Sequence, residues 1–482
     1  MLLGLDLGTG SVKALLMEPD GTVTGEGSHS YAVRSPNSGW AESNPEEWWD
    51  AVGAAAREAI GPNGSEVTAI GLSGQMHGVV PTRADGRPLR PAVLWADARS
   101  VDYLETYRSL DEDARRRLAN PPTVGMVGPT LLWLRDCEPE TYNEIRWALQ
   151  PKDWLRMRLA GESAAEPSDA SATLLYDVPA GRWDYEVVAA LGLRQDFLAP
   201  VIGSSDVAGG LTREAAEYLG LRTGLPVAAG AADTAAAMLG GGLSKPGSVH
   251  LTVGTGAQIV APVHRPDPDP HGRTHLYCAA TPDLFYSMAA IQNAGLALEW
   301  ARRILGATWD EVYEEAFAVP TGSDGVTFLP YLSGERTPHM NPGARGAWTG
   351  LGLGHGRGHL LRAALEGVAF ALREGLESLE AAGISAPELR LAGGGSTREP
   401  WRHLLADVLD RPLLLLPGHV SANASARGAA LLAGIGSGVY GSVEETSTLA
   451  VEPEREIRPG DESSSYEAAY ARYREIYPRL SG

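Results

Sequence analysis

The chain has only two cysteines in 482 residues, Cys137 and Cys278, too few for a disulfide framework and not arranged as a CxxC pair. That scarcity points to a reducing, cytoplasmic setting and excludes dithiol redox chemistry. No pair or triplet of histidine and cysteine has zinc-ligand spacing, so a structural metal is not expected. No uncharged apolar run is long enough to cross a bilayer, and residues 2–17 are broken by Asp6 and Lys13, unlike the apolar core of a signal peptide. Basic charge is short as well. Lys and Arg number 40 against 60 Asp and Glu, a formal net charge of −20. Such a balance disfavours nucleic-acid backbones and anionic membranes as partners, while leaving room for a nucleotide at a locally basic or metal-bridged site. No GxSxG elbow occurs, so acyl transfer has no support.

The chain is rich in glycine, with 58 residues, and long enough for two large domains. Its opening, MLLGLDLGTGSVKALLM, alternates Leu3, Leu5 and Leu7 with Gly4, Asp6 and Gly8, the period of a half-buried strand. Gly8-Thr9-Gly10-Ser11 supplies a turn, Val12–Met17 a second strand, and Asp20-Gly21 turns the chain into a third over Thr22–Val33. This is neither the strand–loop–helix of a Walker A loop nor a dinucleotide fingerprint, which has a third glycine. It still suits a polyphosphate: bare N–H groups, the hydroxyls of Thr9 and Ser11, and Lys13 as a point charge. Asp6, beside the turn, is placed to hold a hydrated Mg2+. The stretch alone fits an ordinary hairpin with a solvated aspartate equally well.

Ser43 or Asn44 caps a helix entered through Pro45 and running to Ile60. A strand at Val67–Leu72 ends in Ser73-Gly74-Gln75-Met76-His77-Gly78, and Leu94-Trp95-Ala96-Asp97 repeats that arrangement. Residues 101–162 read as mainly helical. Leu225–Ala232 is a strand that gives way at Asp233 to a helix of small residues. Gly240–Gly247 marks the boundary between a first domain, 1–243, and a second, 244–482. Directly after it, SVHLTVGTGAQIV repeats the opening pattern, with Gly254-Thr255-Gly256 in place of Gly8-Thr9-Gly10. Two glycine-turn hairpins, each opening a half, imply two related lobes facing one cleft.

The second half continues with a helix at Gly295–Ile304, a strand at Val326–Leu329 and the polar run Pro330–His339. A long helix follows over His359–Ala382, then the strand Glu388–Leu391, the cluster Gly393-Gly394-Gly395, and a helix at Glu399–Leu409. That cluster leads bare N–H groups toward a helix start, favourable for phosphate oxygens. Ala424–Gly434 reads as a close-packing helix, and Tyr466–Leu480 as a surface helix.

Asp233 has no basic neighbour in sequence and can accept a proton; as a helix-starting aspartate it serves equally well as an N-cap. His77 suits substrate binding or a satisfied histidine at a strand end. Trp40, Trp48, Trp49 and Trp95 are core candidates, although a tryptophan beside a sugar site can stack on it.

Taken together, Asp6–Lys13, Gly39–Glu42, Gly74–Gly78, Leu94–Asp97, Pro151-Lys152-Asp153, Asp233, Gly254-Thr255, Pro330–His339, Gly350–Glu366 and Gly393–Gly395 resemble, nearly end to end, the FGGY family of carbohydrate kinases. Gln75–Gly78 and Ser333–His339 are most similar to the members that act on D-xylulose. The resemblance implies an α/β fold of two ribonuclease-H-like, actin-like ATPase lobes around a central cleft holding a sugar and MgATP. It implies phosphorylation of D-xylulose on its C5 hydroxyl with Asp233 as general base; the alternatives are another ketose or a polyol such as ribulose or glycerol, or a non-catalytic sensor. Gln75, Met76, His77, Trp95, Asp233 and Thr234 would bind the sugar. Thr9, Gly10, Ser11, Lys13, Thr255, Gly256, Gly295, Gly394 and Arg398 would bind ATP, and Asp6 with Asp233 the magnesium. A homodimer also fits the family. Thr234 stands where many xylulose-acting relatives have Asn, and Thr130 where the family signature has Lys.

Overall fold

The computed structural model describes residues 1–243 and 245–480; Ser244, inside the predicted boundary Gly240–Gly247, lies outside the described residues. Leu2–Leu7 pairs antiparallel with Ser11–Met17, which pairs antiparallel with Val23–Ser30. On its other side Leu2–Leu7 runs parallel to Ala69–Gly74, followed by Pro226–Ala228 and an antiparallel edge, Val207–Gly210. The second half repeats this strand for strand. Val249–Val253 pairs antiparallel with Ala257–Val263, which meets Phe285–Ile291 antiparallel. It runs parallel to Leu389–Ala392, then come Leu413–Leu415 and the antiparallel edge Arg455–Ile457. The duplication expected from one repeated glycine turn therefore extends across six strands of each sheet.

Burial explains the opening pattern and refines it. Leu3, Leu5 and Leu7 face the core containing Trp48 and the helix Pro45–Ile60, and each is fully buried, worth about 1.5–3 kcal/mol per side chain. The opposite face is buried too. Leu2 joins Leu15, Met17 and Ala426 in a separate core. The helix Gly418–Gly436 comes so close that a Cβ on Gly4 would stand 1.9 Å from the Ala426 carbonyl oxygen. What alternates along the strand is thus which of two layers a residue meets. That helix follows the second sheet in sequence yet covers the first, and it crosses the small-residue helix Asp233–Gly240 where Gly428 and Gly240 let the backbones touch. It is also longer than the predicted Ala424–Gly434.

Asn44 caps the helix Pro45–Ile60 by accepting from Glu46 N at 3.2 Å, while Ser43 lies in a short strand. The expected surface helix Tyr466–Leu480 is two helices, Tyr466–Arg474 and Ile476–Leu480. Tyr466, Tyr470 and Tyr473 share one face, bury against Phe370, and Tyr473 bonds the Tyr331 hydroxyl at 2.9 Å. The aromatics make that segment core, not surface. No described helix is long and apolar enough to cross a membrane.

Candidate active site

The two glycine turns are held by different means. In the first, Gly8 N donates to Ser11 O at 3.0 Å, Tyr31 N to Gly10 O at 3.1 Å, and the Tyr31 hydroxyl to Gly8 O. Trp95 donates its indole N–H to Thr9 Oγ1 at 2.9 Å. Lys13, paired across the hairpin with Asp6, donates to the Ala422 carbonyl at 2.6 Å and so ties the turn to the helix Gly418–Gly436. In the second turn, Gly254 N donates to Gly256 O at 2.8 Å, and the helix Gly295–Ile304 docks onto it through Gly295 N to Gly254 O at 3.0 Å. Gly295 is glycine for that approach, since a Cβ there would meet Gly254 O at 2.4 Å. Gly256 is similarly confined by Ile291 O at 2.7 Å. Gly393, at φ 97°, presses the Gly393–Gly395 cluster against Val253. This brings the cluster beside the second turn.

Gly10 and Gly394 differ from these. Neither has a positive φ, and a Cβ on either would meet nothing within 4 Å. Gly254 is almost as free, with a single neighbour at 3.7 Å. No internal contact calls for glycine at these three positions, yet all three sit on the turns predicted to receive phosphates. Open backbone N–H groups with room for a large anion are what a triphosphate needs. Gly394→Val is therefore expected to raise the KM for ATP about tenfold or more while leaving the melting temperature unchanged; a fall in melting temperature with normal ATP affinity would make the position structural. Arg398 pairs with Asp310 at 2.5 Å and lies over Tyr313, 5.6 Å from the ring centre. Both partners of that pair are exposed, so the interaction is weak and the guanidinium can be redirected.

Asp6 and Asp233 meet between the turns. Asp6 accepts from the Ser73 hydroxyl at 3.0 Å. Burial raises its pKa, against the Ser73 bond and the Lys13 charge. Asp233 heads its helix but does not cap it: Ala232 is the cap residue, and Asp233 accepts only from its neighbour Thr234, at 2.6 Å from N and 3.1 Å from Oγ1. Burial, and then the charge on Asp6, push its pKa up to about 7. A carboxylate with that pKa and no cationic partner is a base poised for neutral pH. Among the described residues no group of three or more His, Cys, Asp or Glu could hold a metal. The donor set present suits Mg2+, which keeps its waters and takes one or two carboxylates plus substrate phosphates.

A polar cluster lies beside this pair. The strand Ala69–Gly74 ends at Gln75, whose Nε2 donates to Gly8 O at 3.3 Å while its Oε1, buried, has no partner. His77 holds a left-handed backbone (φ 61°), anchored by Nδ1 to the Ala172 carbonyl at 2.9 Å. Burial above all, with the nearby Arg336 charge adding to it, lowers its pKa to about 4, so the ring is neutral, Nδ1 carries the proton, and Nε2 is an acceptor. Met76 receives the Tyr286 hydroxyl at 3.6 Å, across from the second sheet. Trp95 is only partly buried, unlike Trp48, and its ring underlies Arg336 at 5.4 Å. Thr234 is spent on Asp233. Sequence reasoning missed three residues that complete the wall from the second half: His275, Tyr277 and Arg336. His275 stacks on Tyr277 at 5.6 Å, and Tyr277 lies 6.0 Å from His77. The Ser333–His339 run was the available signal for Arg336; His275 and Tyr277 stand in an ordinary-looking strand.

Residues 1–240 match the N-terminal domain, and residues 249–437 the C-terminal domain, of the FGGY family of carbohydrate kinases. The xylulose kinase of Escherichia coli (strain K12) is 34% identical over 483 residues, covering 100% of this chain and 99% of that protein. The chain belongs to the FGGY family of carbohydrate kinases. The crystal structure of xylulose kinase from Rhodospirillum rubrum, 32% identical, superposes with a TM-score of 0.90 over 100% of this chain and 99% of that one. The gluconokinase of Bacillus subtilis (strain 168) is 28% identical over 482 residues, 96% of this chain and 93% of that protein. As an FGGY kinase the chain has the two-lobed, actin-like ATPase fold with ribonuclease-H-like cores, and it is a phosphotransferase that uses ATP and an alcohol group of a sugar.

Proposed function

We propose that this kinase phosphorylates D-xylulose on its C5 hydroxyl, with Asp233 as general base. The observation that carries the reading is Asp233 itself: unpaired, beside a second carboxylate, at a helix start between two open glycine turns. Asp233 accepts the O5 proton as O5 bonds to the γ-phosphorus of ATP, the bond to the ADP oxygen breaks, and ADP leaves. The turns at Thr9–Ser11 and Thr255-Gly256, with Gly394 and Lys13, hold the phosphates in line, which is most of what phosphoryl transfer requires. Asp6 and Asp233 would hold Mg2+ through water, where it neutralises charge on the transferring phosphoryl group. Gln75, Met76, His77 and Trp95 orient the sugar, with Nε2 of His77 accepting from a sugar hydroxyl. The lobes divide at 1–243 and 244–482, sugar and base on the first and ATP on the second, and closing them excludes water.

The sugar assignment follows the xylulose kinases at 34% and 32% identity. Coupled ADP release across D-xylulose, D-ribulose, xylitol, glycerol and D-gluconate tests it. D-Xylulose is expected to give the highest kcat/KM by about tenfold or more. A higher value for gluconate or a polyol overturns the sugar, and no turnover of any overturns catalysis.

A further inference from the structure

Arg336 is an unclaimed charge. Its guanidinium makes no hydrogen bond or ion pair with a protein group among the described residues; only its backbone is bonded, N to Glu335 Oε1 at 2.8 Å and O from Met340 N at 2.5 Å. It rests over Trp95 and acts electrostatically on His77, His275 and Tyr277. Those surroundings are short of partners as well. Both ring nitrogens of His275, the Tyr277 hydroxyl and Gln75 Oε1 are buried without any. Buried polar atoms are nearly always satisfied, and a screened cation without a carboxylate is costly. Orphans concentrated around one guanidinium mark the place of a polar ligand.

The loop that presents Arg336 is firmly built. The Glu335 carboxylate accepts from Gln292 N at 2.6 Å, Thr337 N donates to Ala290 O at 3.0 Å, and Ala290 N returns to Thr337 Oγ1 at 3.1 Å. The charge on Arg336 does not act on Asp233, whose charged neighbour is Asp6. Arg336 thus stands at the end of the sugar pocket away from the base. If O5 of a ketopentose lies at Asp233, the other end of that molecule is its hydroxyketone.

We propose that Arg336 determines specificity by donating to the C2 carbonyl and C1 oxygens, separating 2-ketoses from the polyols that lack the carbonyl. The inference rests on the proposed sugar and base. A guanidinium has only donors, in a fork that matches two adjacent acceptor oxygens. A carbonyl oxygen offers acceptor lone pairs alone. A polyol hydroxyl in its place must turn its proton aside and leaves the plane of the fork.

Wild type, Arg336→Gln and Arg336→Lys are compared on D-xylulose and on D-gluconate, and on xylitol read as substrate or competitive inhibitor. D-Xylulose binding without ATP is followed by calorimetry. Arg336→Gln is expected to lose about a hundredfold in kcat/KM for D-xylulose, chiefly through KM, and Arg336→Lys to recover part of it. Xylitol should change by less than about threefold, and the KM for ATP not at all. The calorimetric affinity for D-xylulose should fall in parallel, a readout free of chemistry; should Arg336→Gln fail to fold, Arg336→Lys carries the same prediction at smaller amplitude. Equal losses for xylulose and xylitol, or a change in ATP KM, overturn this role while leaving the xylulose kinase reading intact. Wild type that prefers gluconate overturns both, since the guanidinium would then face a carboxylate.

Discussion

Asp233→Asn is expected to lower kcat by about 10²- to 10⁴-fold and at the same time to make the protein more heat-stable at neutral pH. The first effect follows if Asp233 takes the proton of the attacking hydroxyl, which an amide cannot. The second follows from electrostatics. Burial and the Asp6 charge raise the Asp233 pKa from 3.8 to about 7, so the folded chain keeps a proton that the unfolded chain releases. Wherever the folded state binds more protons, stability falls as pH rises. Here the fall runs from about pH 4 to pH 7, and Asn, which has the same shape and keeps an oxygen for the Thr234 donors, removes it. The difference in melting temperature between Asp233→Asn and wild type should be close to zero near pH 4. It should grow to a few degrees above pH 7. In wild type the same group should place a limb near pH 7 in kcat/KM for the free enzyme, with activity lost toward acid. Full kcat in Asp233→Asn would remove Asp233 as the base. A variant less stable than wild type at every pH would mean that Asp233 is built in for structure.

That pairing of lost activity with gained stability was partly legible in the sequence, and the reasons are uneven. The strand before Asp233, its position at a helix start and the lack of a basic neighbour could all be read. Its competing reading as an N-cap could not be resolved, because capping depends on whether the carboxylate turns back to its own helix, and in the folded chain only Thr234 reaches it. The paired hairpins were legible because local periodicity and a glycine turn are properties of short segments. Tyr466–Leu480 misled because its charges and tyrosines share a helix, and only the location of Phe370 and Tyr331 decides which face is covered. His275 and Tyr277 were invisible for a similar reason. They reach the sugar pocket through the packing of the second sheet on the first half, where Cys278 N bonds Ser171 Oγ at 3.1 Å and Asn120 Nδ2 bonds Leu276 O at 2.7 Å. Nothing local to residues 275–278 announces those contacts.

Glycine separates the two kinds of information most clearly, and Gly428 should show the largest effect on stability. A Cβ added there would stand 1.9 Å from the Ala236 carbonyl oxygen and 2.6 Å from its carbon, backbone atoms that cannot step aside. Gly428 lies within the helix Gly418–Gly436, where intrinsic propensity alone favours alanine by about 1 kcal/mol. Overpacking of this kind costs about 1–3 kcal/mol, and more when backbone is struck. Packing should win, so that Gly428→Ala lowers the urea midpoint and Gly428→Val does not accumulate as folded protein. The damage should also reach the chemistry. Ser425, one turn before Gly428, donates to the Asp233 backbone carbonyl at 3.1 Å, and Lys13 is tied to Ala422 on the same helix. Forcing the helices apart moves the base relative to the phosphate turn, so Gly428→Ala should lose kcat by about tenfold or more even where it remains folded. Gly394→Val tests the opposite case, affecting ATP binding and sparing stability. A Gly428→Ala protein that is more stable than wild type would mean that propensity had prevailed and that the two helices do not cross in contact.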